Sequence, residues 1–320
     1  MPSTGQRVVV ITGASSGVGR CTALAFAKRQ DRLVLASRNE SALAEVAELC
    51  RTHGAEAMIR PTDVADESEV EALRAAAVDA FGRIDVWVNC AAVLLLGRFE
   101  ELPPDAFRRV IETNVLGYAN GARAALVQFQ AQGNQGTLIN VGSVLGLAAE
   151  PYASAYVTTK FAIRGLTACL RQEMRVFPNI HVCAVLPAAL DTPIYQRAGN
   201  YIGQAARSIV PVYDPAKAAR AIVRLAERPR RSVVIGSFGH FAALLAQIAP
   251  GFVERVAARL LPPLQFNSEH AVPSAGSLFE TDAQHALSGG WREYWKKRLL
   301  FVAHASSAEK TDSSRASKPQ

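Results

Sequence analysis

A β-branched run followed by a glycine-rich turn constrains this chain more than any other feature. Arg7 to Ile11 predicts a short strand, and it leads directly into Thr12 to Gly19, with the sequence TGASSGVG. The apolar periodicity from Cys21 to Lys28 then predicts a helix. Glycines at such a junction let the backbone approach a pyrophosphate, whose charge the helix N-terminus stabilises. A tight turn without a ligand is the alternative, but three glycines in this context favour a dinucleotide site.

The end of the next predicted strand indicates which dinucleotide is bound. Leu33 to Ala36 is followed by Ser37 and Arg38. An acid at this place would bind the ribose 2′-hydroxyl of NAD, whereas a small hydroxyl residue followed by Arg suits a 2′-phosphate. Arg38 could also be a solvated charge, although a helix start prefers acids. The sequence therefore favours NADP(H) over NAD(H).

Strands and helices alternate along most of the chain. Further strands are predicted at 57–60, 84–88, 137–141, 181–186 and 232–235, and helices at 40–53, 67–81, 104–130, 152–177 and 215–227. This alternation implies an α/β fold with a Rossmann-type doubly wound parallel sheet of about seven strands. Asp63 and Asn89 follow strand ends, where ligands bind in such sheets.

Tyr156 and Lys160 are four residues apart in a segment without Gly or Pro, so on a helix they share one face. An ammonium beside a phenol favours the phenolate and would lower the Tyr156 pKa. The pair is a plausible general acid and base, and the hydroxyl of Ser143, after a strand, could reach the same point. By itself such a pair is far more often an ordinary helix surface.

Together these residues closely resemble the short-chain dehydrogenase/reductase (SDR) family over about residues 5 to 236. The resemblance is joint: the TGxxxGxG turn, Asp63, Asn89, Asn114, Ser143 and a YxxxK motif at Tyr156 occur in order at family-like spacing. It implies a seven-stranded doubly wound sheet and hydride transfer between nicotinamide and a carbonyl or secondary alcohol. It also suggests a homodimer or homotetramer.

The resemblance also implies a role for each site residue. Tyr156 would donate the proton to a carbonyl oxygen, Ser143 would polarise that oxygen, and Lys160 would lower the Tyr156 pKa and bind the nicotinamide ribose. Asn114 would hold a water in a proton relay. The implied cofactor-binding residues are Gly13, Ser15, Ser16, Gly17, Val18, Gly19, Ser37, Arg38, Asp63, Val64, Asn89, Ala91, Tyr156, Lys160, Pro187 and Thr192.

Two positions depart from the family pattern. The usual Asn-Asn-Ala-Gly is Asn89-Cys90-Ala91-Ala92 here, and the usual Pro-Gly after the sixth strand is Pro187-Ala188. Alanine replaces glycine in both, so the local backbone must avoid positive φ or accept strain. Neither change removes a catalytic group.

Residues at family-like positions of the substrate cleft are mostly apolar. They are Leu94, Leu95, Leu96, Val144, Leu145, Tyr152, Leu190 and Tyr195. The hypothesis is a lipophilic or aromatic ketone or secondary alcohol as substrate. Several of these side chains could instead belong to the core.

The chain continues well beyond the usual family length. We expect a catalytic domain at 1–236, a helical extension at 237–303 and a disordered tail at 304–320. Apolar residues from Phe238 to Leu260 recur at helical spacing around Arg255 and Arg259. They could form a membrane-surface or subunit contact. Helices that cap the cleft or the core are the favoured alternative.

Composition excludes several other classes of protein. The net charge is +7 over 320 residues, but Lys and Arg are interleaved with acids, so no nucleic-acid partner is expected. The five cysteines form no CxxC pair, the histidines show no metal-ligand spacing, and no window predicts a spanning helix. The prediction is a cytoplasmic, metal-independent NADP(H) oxidoreductase. A cofactor-binding regulatory or membrane-surface protein with little turnover is the rival.

Overall fold

The computed structural model describes residues 6–281 and 286–298, which form a central parallel sheet covered by helices. The strands are β1 (Val8–Thr12), β2 (Arg32–Ser37), β3 (Ala57–Pro61), β4 (Val86–Asn89), β5 (Leu95–Leu96), β6 (Gly136–Val141), β7 (Ile180–Pro187), β8 (Gly199–Asn200), β9 (Gln204–Ala206), β10 (Ser232–Ile235) and β11 (Phe266–His270). The α-helices are α1 (Gly17–Ala27), α2 (Glu40–Thr52), α3 (Glu67–Phe81), α4 (Pro104–Ile111), α5 (Gly117–Ala131), α6 (Ser154–Glu173), α7 (Pro215–Glu227), α8 (Ser237–Ile248), α9 (Pro250–Leu260) and α10 (Pro262–Gln265).

Seven strands form the main sheet, in the order β10-β7-β6-β4-β1-β2-β3, and all their pairings are parallel. The predicted doubly wound sheet is confirmed. Strand β1 is fully buried and reads VVVIT, as expected for a strand with helices on both faces. The order reverses on either side of β1 and β4, which creates a crevice at the carboxyl ends of these strands.

Two hydrophobic layers hold the helices to the sheet. One layer includes Phe26 of α1, Leu43 of α2 and Ile222 of α7. The other includes Leu73 of α3 and Phe129 of α5, with Trp87 of β4 fully buried against them. Burying one such side chain contributes about 1.5–3 kcal/mol, so the two layers fix the positions of the strand ends.

The long helix predicted from Pro104 to Gln130 contains an irregular turn. A π-helical turn, Glu112–Leu116, separates α4 from α5. It is stabilised at Asn114, a poor helix former, whose fully buried side chain bonds to both backbone groups of Val93. Such turns occur often at functional sites, and this one brings Asn114 next to α6.

The extension beyond β10 is less uniformly helical than predicted. After α10, strand β11 pairs antiparallel with β9, and residues 291–298 are helical again. Residues 262–281 and 286–298, which we call the C-terminal wall, bury Leu278, Trp291 and Trp295. In contrast, α8 and α9 leave seven large apolar side chains exposed: Phe238, Phe241, Leu244, Ile248, Phe252, Val256 and Leu260.

No helix within the described ranges is both long and apolar enough to cross a membrane. The predicted tail at 304–320, and residues 299–303 of the extension, lie outside the described residues.

Candidate active site

A cavity of about 300 Å³ lies at the carboxyl ends of the central strands. It brings together most of the predicted site. The predicted residues that line it are Gly13, Ser15, Ser16, Gly17, Val18, Gly19, Ser37, Arg38, Asp63, Val64, Ala91, Leu94, Ser143, Val144, Leu145, Tyr156, Lys160, Pro187, Leu190, Thr192 and Tyr195. Asn89, Leu95, Leu96, Asn114 and Tyr152 do not line it.

The glycine-rich turn between β1 and α1 forms one end of the cavity. Gly13 has φ +68°, and a Cβ there would lie 2.7 Å from Cα of Ala91. A Cβ on Gly19 would lie 2.1 Å from the Gly13 carbonyl oxygen. The turn therefore requires glycine, and it exposes backbone at the N-terminus of α1. This is the cradle that the pyrophosphate of a dinucleotide needs.

The two alanines that replace family glycines are accommodated without strain. The positive-φ residues other than glycine are Gln30, Asn134 and Tyr152 among the described residues. Ala92 and Ala188 are therefore outside the left-handed region, and both line the cavity. The departures leave the shape of this end of the cleft intact.

Arg38 reaches across the cleft mouth to the C-terminal wall. Its guanidinium donates hydrogen bonds to the carbonyl oxygens of Ser277 (2.6 Å), Leu278 (2.8 Å) and Phe279 (3.2 Å). Arg109 also donates to the Leu278 oxygen (3.0 Å) and pairs with Asp63. Burial, and secondarily Arg109, lowers the pKa of Arg38. Three oxygens converge on this fork, which is the arrangement that a phosphate would provide.

The chemistry-bearing side chains come from the end of β6 and from the first turns of α6. Ser143 is buried; its hydroxyl accepts from the Leu145 amide (3.0 Å) and donates to the Pro187 carbonyl (3.4 Å). Lys160 is 2% exposed and donates to the Val141 carbonyl (3.3 Å). Its Nζ lies 5.1 Å from the ring centroid of Tyr156. The shared helix face predicted for Tyr156 and Lys160 is thus present.

The expectation of a lowered Tyr156 pKa is wrong for this structure. Burial raises that pKa, and the nearby Glu150 carboxylate and Cys90 thiol add to the rise. Burial also lowers the pKa of Lys160 to about 8. Desolvation outweighs the attraction expected from spacing alone, because neither group keeps its full hydration. Tyr156 therefore holds its proton at neutral pH.

The two asparagines predicted in the site, Asn89 and Asn114, lie behind the residues that line the cavity. Asn114 donates to Thr159 Oγ1 (3.2 Å) and to the Val93 carbonyl (2.9 Å), tying α6 to the segment after β4. Asn89 bonds to Trp87 Nε1 (2.9 Å) and Asn140 Oδ1 (3.0 Å). These buried hydrogen-bond networks fix the positions of the strands and helices. Thr113, the residue before Asn114, lines the cavity instead.

Only some of the predicted substrate residues line the apolar end of the cavity. Leu94, Val144, Leu145, Leu190 and Tyr195 line it. Leu95 and Leu96 are fully buried in the core instead. Tyr152 adopts φ +62° and packs edge-on against Phe266, with ring centroids 5.9 Å apart.

The C-terminal wall also packs against the segment that follows β7. Trp291 donates its backbone amide to Asp191 (2.8 Å) and its indole N–H to the Thr192 carbonyl (3.1 Å). Trp295 donates to the Ser208 carbonyl (2.8 Å) and stacks under Arg207, 4.9 Å from its guanidinium carbon. The capping prediction applies to the helices at 238–260, whose large apolar side chains are exposed instead, so it stays a prediction there.

Sequence reasoning missed several residues of the cavity. They include Asn39, Thr62, Glu150, Ile194, Arg197, Ile209, Ser277 and Thr281. Those from the C-terminal wall carry no local motif, since only the tertiary fold brings them to the sheet. Glu150 lies in the sequence between Ser143 and Tyr156, but a single acid before a proline belongs to no motif that would mark it as part of the site.

The doubly wound sheet, the glycine turn and the Ser143, Tyr156 and Lys160 cluster define a nicotinamide-dinucleotide oxidoreductase. The short chain dehydrogenase family profile matches residues 7–201. The chain belongs to this family.

Relatives and solved structures agree with this assignment. The uncharacterized oxidoreductase YxnA of Bacillus subtilis (strain 168) is 36% identical over 306 residues, 94% of this chain and 85% of the relative. The 3-ketodihydrosphingosine reductase of Bos taurus is 31% identical over 251 residues, 76% and 75% of the two chains. A variant of the actinorhodin polyketide ketoreductase with NADPH superposes with a TM-score of 0.65 at 26% identity. That match covers 75% of this chain and 99% of the other.

Proposed function

We propose that this oxidoreductase is an NADP(H)-dependent carbonyl reductase acting on apolar ketones, with the alcohol oxidation as its reverse. The observation that carries the proposal is one cavity that holds the glycine turn, Arg38 and the Ser143, Tyr156 and Lys160 cluster. NADPH would supply the hydride that reduces the carbonyl carbon. Overall, ketone, NADPH and one proton give secondary alcohol and NADP⁺.

Within this reaction the protein supplies the proton and stabilises charge. The Tyr156 hydroxyl donates its proton to the carbonyl oxygen as negative charge develops there. Ser143 donates a hydrogen bond to the same oxygen, a preorganised interaction that strengthens in the transition state. The Lys160 ammonium, beside the Tyr156 ring, stabilises the phenolate that remains.

The raised pKa of Tyr156 keeps the phenol protonated at neutral pH, which is the form that reduction uses. A phenol that keeps its proton at neutral pH is ready to donate it, whereas alcohol oxidation needs the phenolate as base. We therefore expect oxidation to require a higher pH than reduction. Asn114 acts as a positioning residue, because its bonds to Thr159 and Val93 fix the turn of α6 that carries Lys160.

The preference for NADP(H) rests on Ser37 and Arg38. Arg38 already binds three carbonyl oxygens of the C-terminal wall, so a 2′-phosphate would exchange with them or share the same donors. A planar guanidinium suits such an anion better than a ribose hydroxyl. The NADPH in the ketoreductase structure supports the same choice.

The apolar lining supports a lipophilic substrate. Leu94, Leu145, Leu190 and Ile194 lie around the catalytic end of the cavity. Apolar pockets with few polar groups bind apolar ligands and orient them through those groups. The bovine relative, whose name denotes reduction of a ketone, is consistent with this substrate class.

The test is NADPH and NADH oxidation by the purified full chain against ketones graded in size and polarity, with Tyr156→Phe in parallel. We expect faster turnover with NADPH and with bulky apolar ketones, and its loss in the Phe variant. Equal or better rates on small polar ketones would contradict the substrate class. Tight cofactor binding with no turnover in either direction would favour the binding-only alternative.

We also propose that the chain forms a homodimer or homotetramer through the outer faces of α5 and α6. Val127 (56% exposed) and Phe161 (44% exposed) present apolar surface there. Light scattering on the wild type and on Val127→Glu should show an oligomer that the charge disrupts. A monomeric wild type would contradict the proposal.

Membrane-surface contact would use α8 and α9. Phe241 and Ile248 are exposed on α8, and on α9 the exposed Phe252, Val256 and Leu260 alternate with Arg255 and Arg259. This composition binds anionic lipid interfaces. We propose a cytoplasmic protein that can bind such a surface peripherally. In a flotation experiment the wild type should float with anionic liposomes, whereas the Phe241→Ser variant should not. A wild type that does not float would contradict the proposed membrane contact.

A further inference from the structure

Glu150 places a carboxyl group inside the apolar end of the cleft. It precedes Pro151 in the segment before α6 and lines the same cavity as Tyr156 and Tyr195. Its Oε1 accepts a hydrogen bond from Nε2 of Gln265, at 2.7 Å. Gln265 is fully buried at the end of α10, so the C-terminal wall holds this carboxyl in position.

This carboxyl lacks a counter-charge. No cationic side chain within residues 6–281 and 286–298 forms an ion pair with Glu150, and its single hydrogen bond comes from a neutral amide. Burial raises the pKa of Glu150 to about 7. The carboxylate in turn raises the pKa values of Tyr156 and Tyr195, which places it near both phenols. Glu150 is only partly exposed to solvent, and an acid of this kind is stabilised when a cation pairs with it.

The surroundings of the carboxyl decide what kind of cation fits. Leu94, Ala153, Ile194 and Tyr195 line the cavity with Glu150 and offer apolar surface. A metal ion would need further oxygen or nitrogen ligands. A primary ammonium on an apolar chain needs one carboxylate and apolar walls, and it matches both features.

We propose that Glu150, held by Gln265, is the specificity-determining residue of the substrate site and binds the ammonium group of a lipophilic amino ketone. The inference rests on the proposed carbonyl reduction. With the carbonyl oxygen at Ser143 and Tyr156, the ammonium lies against the Glu150 carboxylate and the alkyl chain against Leu94 and Ile194.

The experiment compares two ketones of the same shape with NADPH at neutral pH: aminomethyl octyl ketone and ethyl octyl ketone. The wild type should prefer the amino ketone in kcat/KM. In Glu150→Gln, which keeps an oxygen for Gln265, that preference should fall by about 10- to 100-fold, chiefly through KM. Glu254→Gln, which removes an exposed charge from α9, should keep the wild-type preference.

A binding measurement separates failure of this inference from failure of the proposed reaction. Calorimetry should show decylammonium binding to the wild type more tightly than decanol, with the difference lost in Glu150→Gln. Ketone turnover with no preference for the amine, in both variants, would overturn the role of Glu150 alone. Glu150-dependent decylammonium binding without turnover of either ketone would support the site and overturn the carbonyl reduction.

Discussion

The two sides of the cleft differ in origin. The catalytic side comprises the glycine turn after β1, Ser143 after β6, and Tyr156 and Lys160 on α6. It falls within residues 7–201, the part that matches the family. The opposite side is the C-terminal wall, which contributes Ser277 and Thr281 to the cavity and Gln265 behind Glu150.

This difference separates chemistry from selectivity. The proposed reacting groups are held by the sheet and by α6, whereas Arg38 and Glu150, the groups proposed to contact the ends of the ligands, are held by the wall. Loss of a catalytic-side group should therefore stop turnover in every substrate. Loss of a wall group should change stability, cofactor choice or substrate preference instead.

The largest effect is expected from Lys160→Ala. Removing the ammonium next to Tyr156 should lower kcat/KM for reduction by about 10³-fold, equivalent to about 4 kcal/mol of transition-state stabilisation. Steady-state NADPH oxidation measures it. Lys217→Ala is the matched control, because Lys217 lies over the ring of Tyr213 on the exposed side of α7. A variant of Lys160 with more than a tenth of wild-type activity would contradict its catalytic role.

The wall itself is tested by Trp295→Ala. Trp295 is 7% exposed, bonds to Ser208 and stacks with Arg207, so its truncation should lower the free energy of unfolding by about 3 kcal/mol. Urea denaturation of the full chain measures this change. Phe241→Ala, on the exposed half of the extension, should cost under about 0.5 kcal/mol. Equal effects would mean that the wall is not packed onto the domain as described.

Arg38→Ala tests whether Arg38 binds the 2′-phosphate of the cofactor as well as holding the C-terminal wall. It should lower the NADPH over NADH ratio of kcat/KM by about 10- to 100-fold, because a charged hydrogen-bond partner of the 2′-phosphate is lost. Arg60→Ala, an exposed arginine at the end of the next strand, is the control. An unchanged ratio would show that Arg38 serves only to anchor Ser277, Leu278 and Phe279.

A smaller effect is expected from the pH dependence of stability at Glu150. Its pKa is about 7 in the folded chain against 4.5 as the ordinary value, so folding favours the protonated carboxyl. The stability from this proton is present below pH 4.5 and is lost as the pH rises through about 7. The phenols that face it, Tyr156 and Tyr195, stay neutral in this window.

Glu150→Gln removes that titration. The melting temperature of the wild type should therefore fall relative to the Gln variant between about pH 5 and about pH 8, corresponding to about 2.5 kcal/mol. Thermal unfolding across this range measures the difference. A constant difference would mean that Glu150 stays ionised in the folded chain.

The sheet and the catalytic side could be predicted from the sequence because local patterns encode them. Strands such as Val8–Thr12 are continuous apolar runs, and the spacing of Tyr156 and Lys160 is a property of one helix. The helix bounds 67–81 and 215–227 were predicted as they are found. In each case neighbours in sequence are also neighbours in space.

The remaining features depend on distant contacts. The side chain of Asn89 turns into the layer beneath α5, where Gly121 leaves room: a Cβ there would lie 2.2 Å from Asn89 Oδ1. The π-helical turn at Asn114 depends on Val93. The bond from Gln265 to Glu150 joins residues 115 apart in the chain. No periodicity or motif within a single segment of the sequence predicts such contacts between distant residues.

The most direct test of the division between chemistry and selectivity is a label-transfer measurement on the full chain. The protein is incubated with a bulky apolar ketone and NADPH carrying deuterium at both C4 positions, and the product alcohol is analysed by mass spectrometry. We predict one deuterium in the alcohol from the wild type and from Glu150→Gln, and no alcohol from Tyr156→Phe. Alcohol without deuterium, or labelled alcohol at the wild-type rate from Tyr156→Phe, would contradict the proposed reaction.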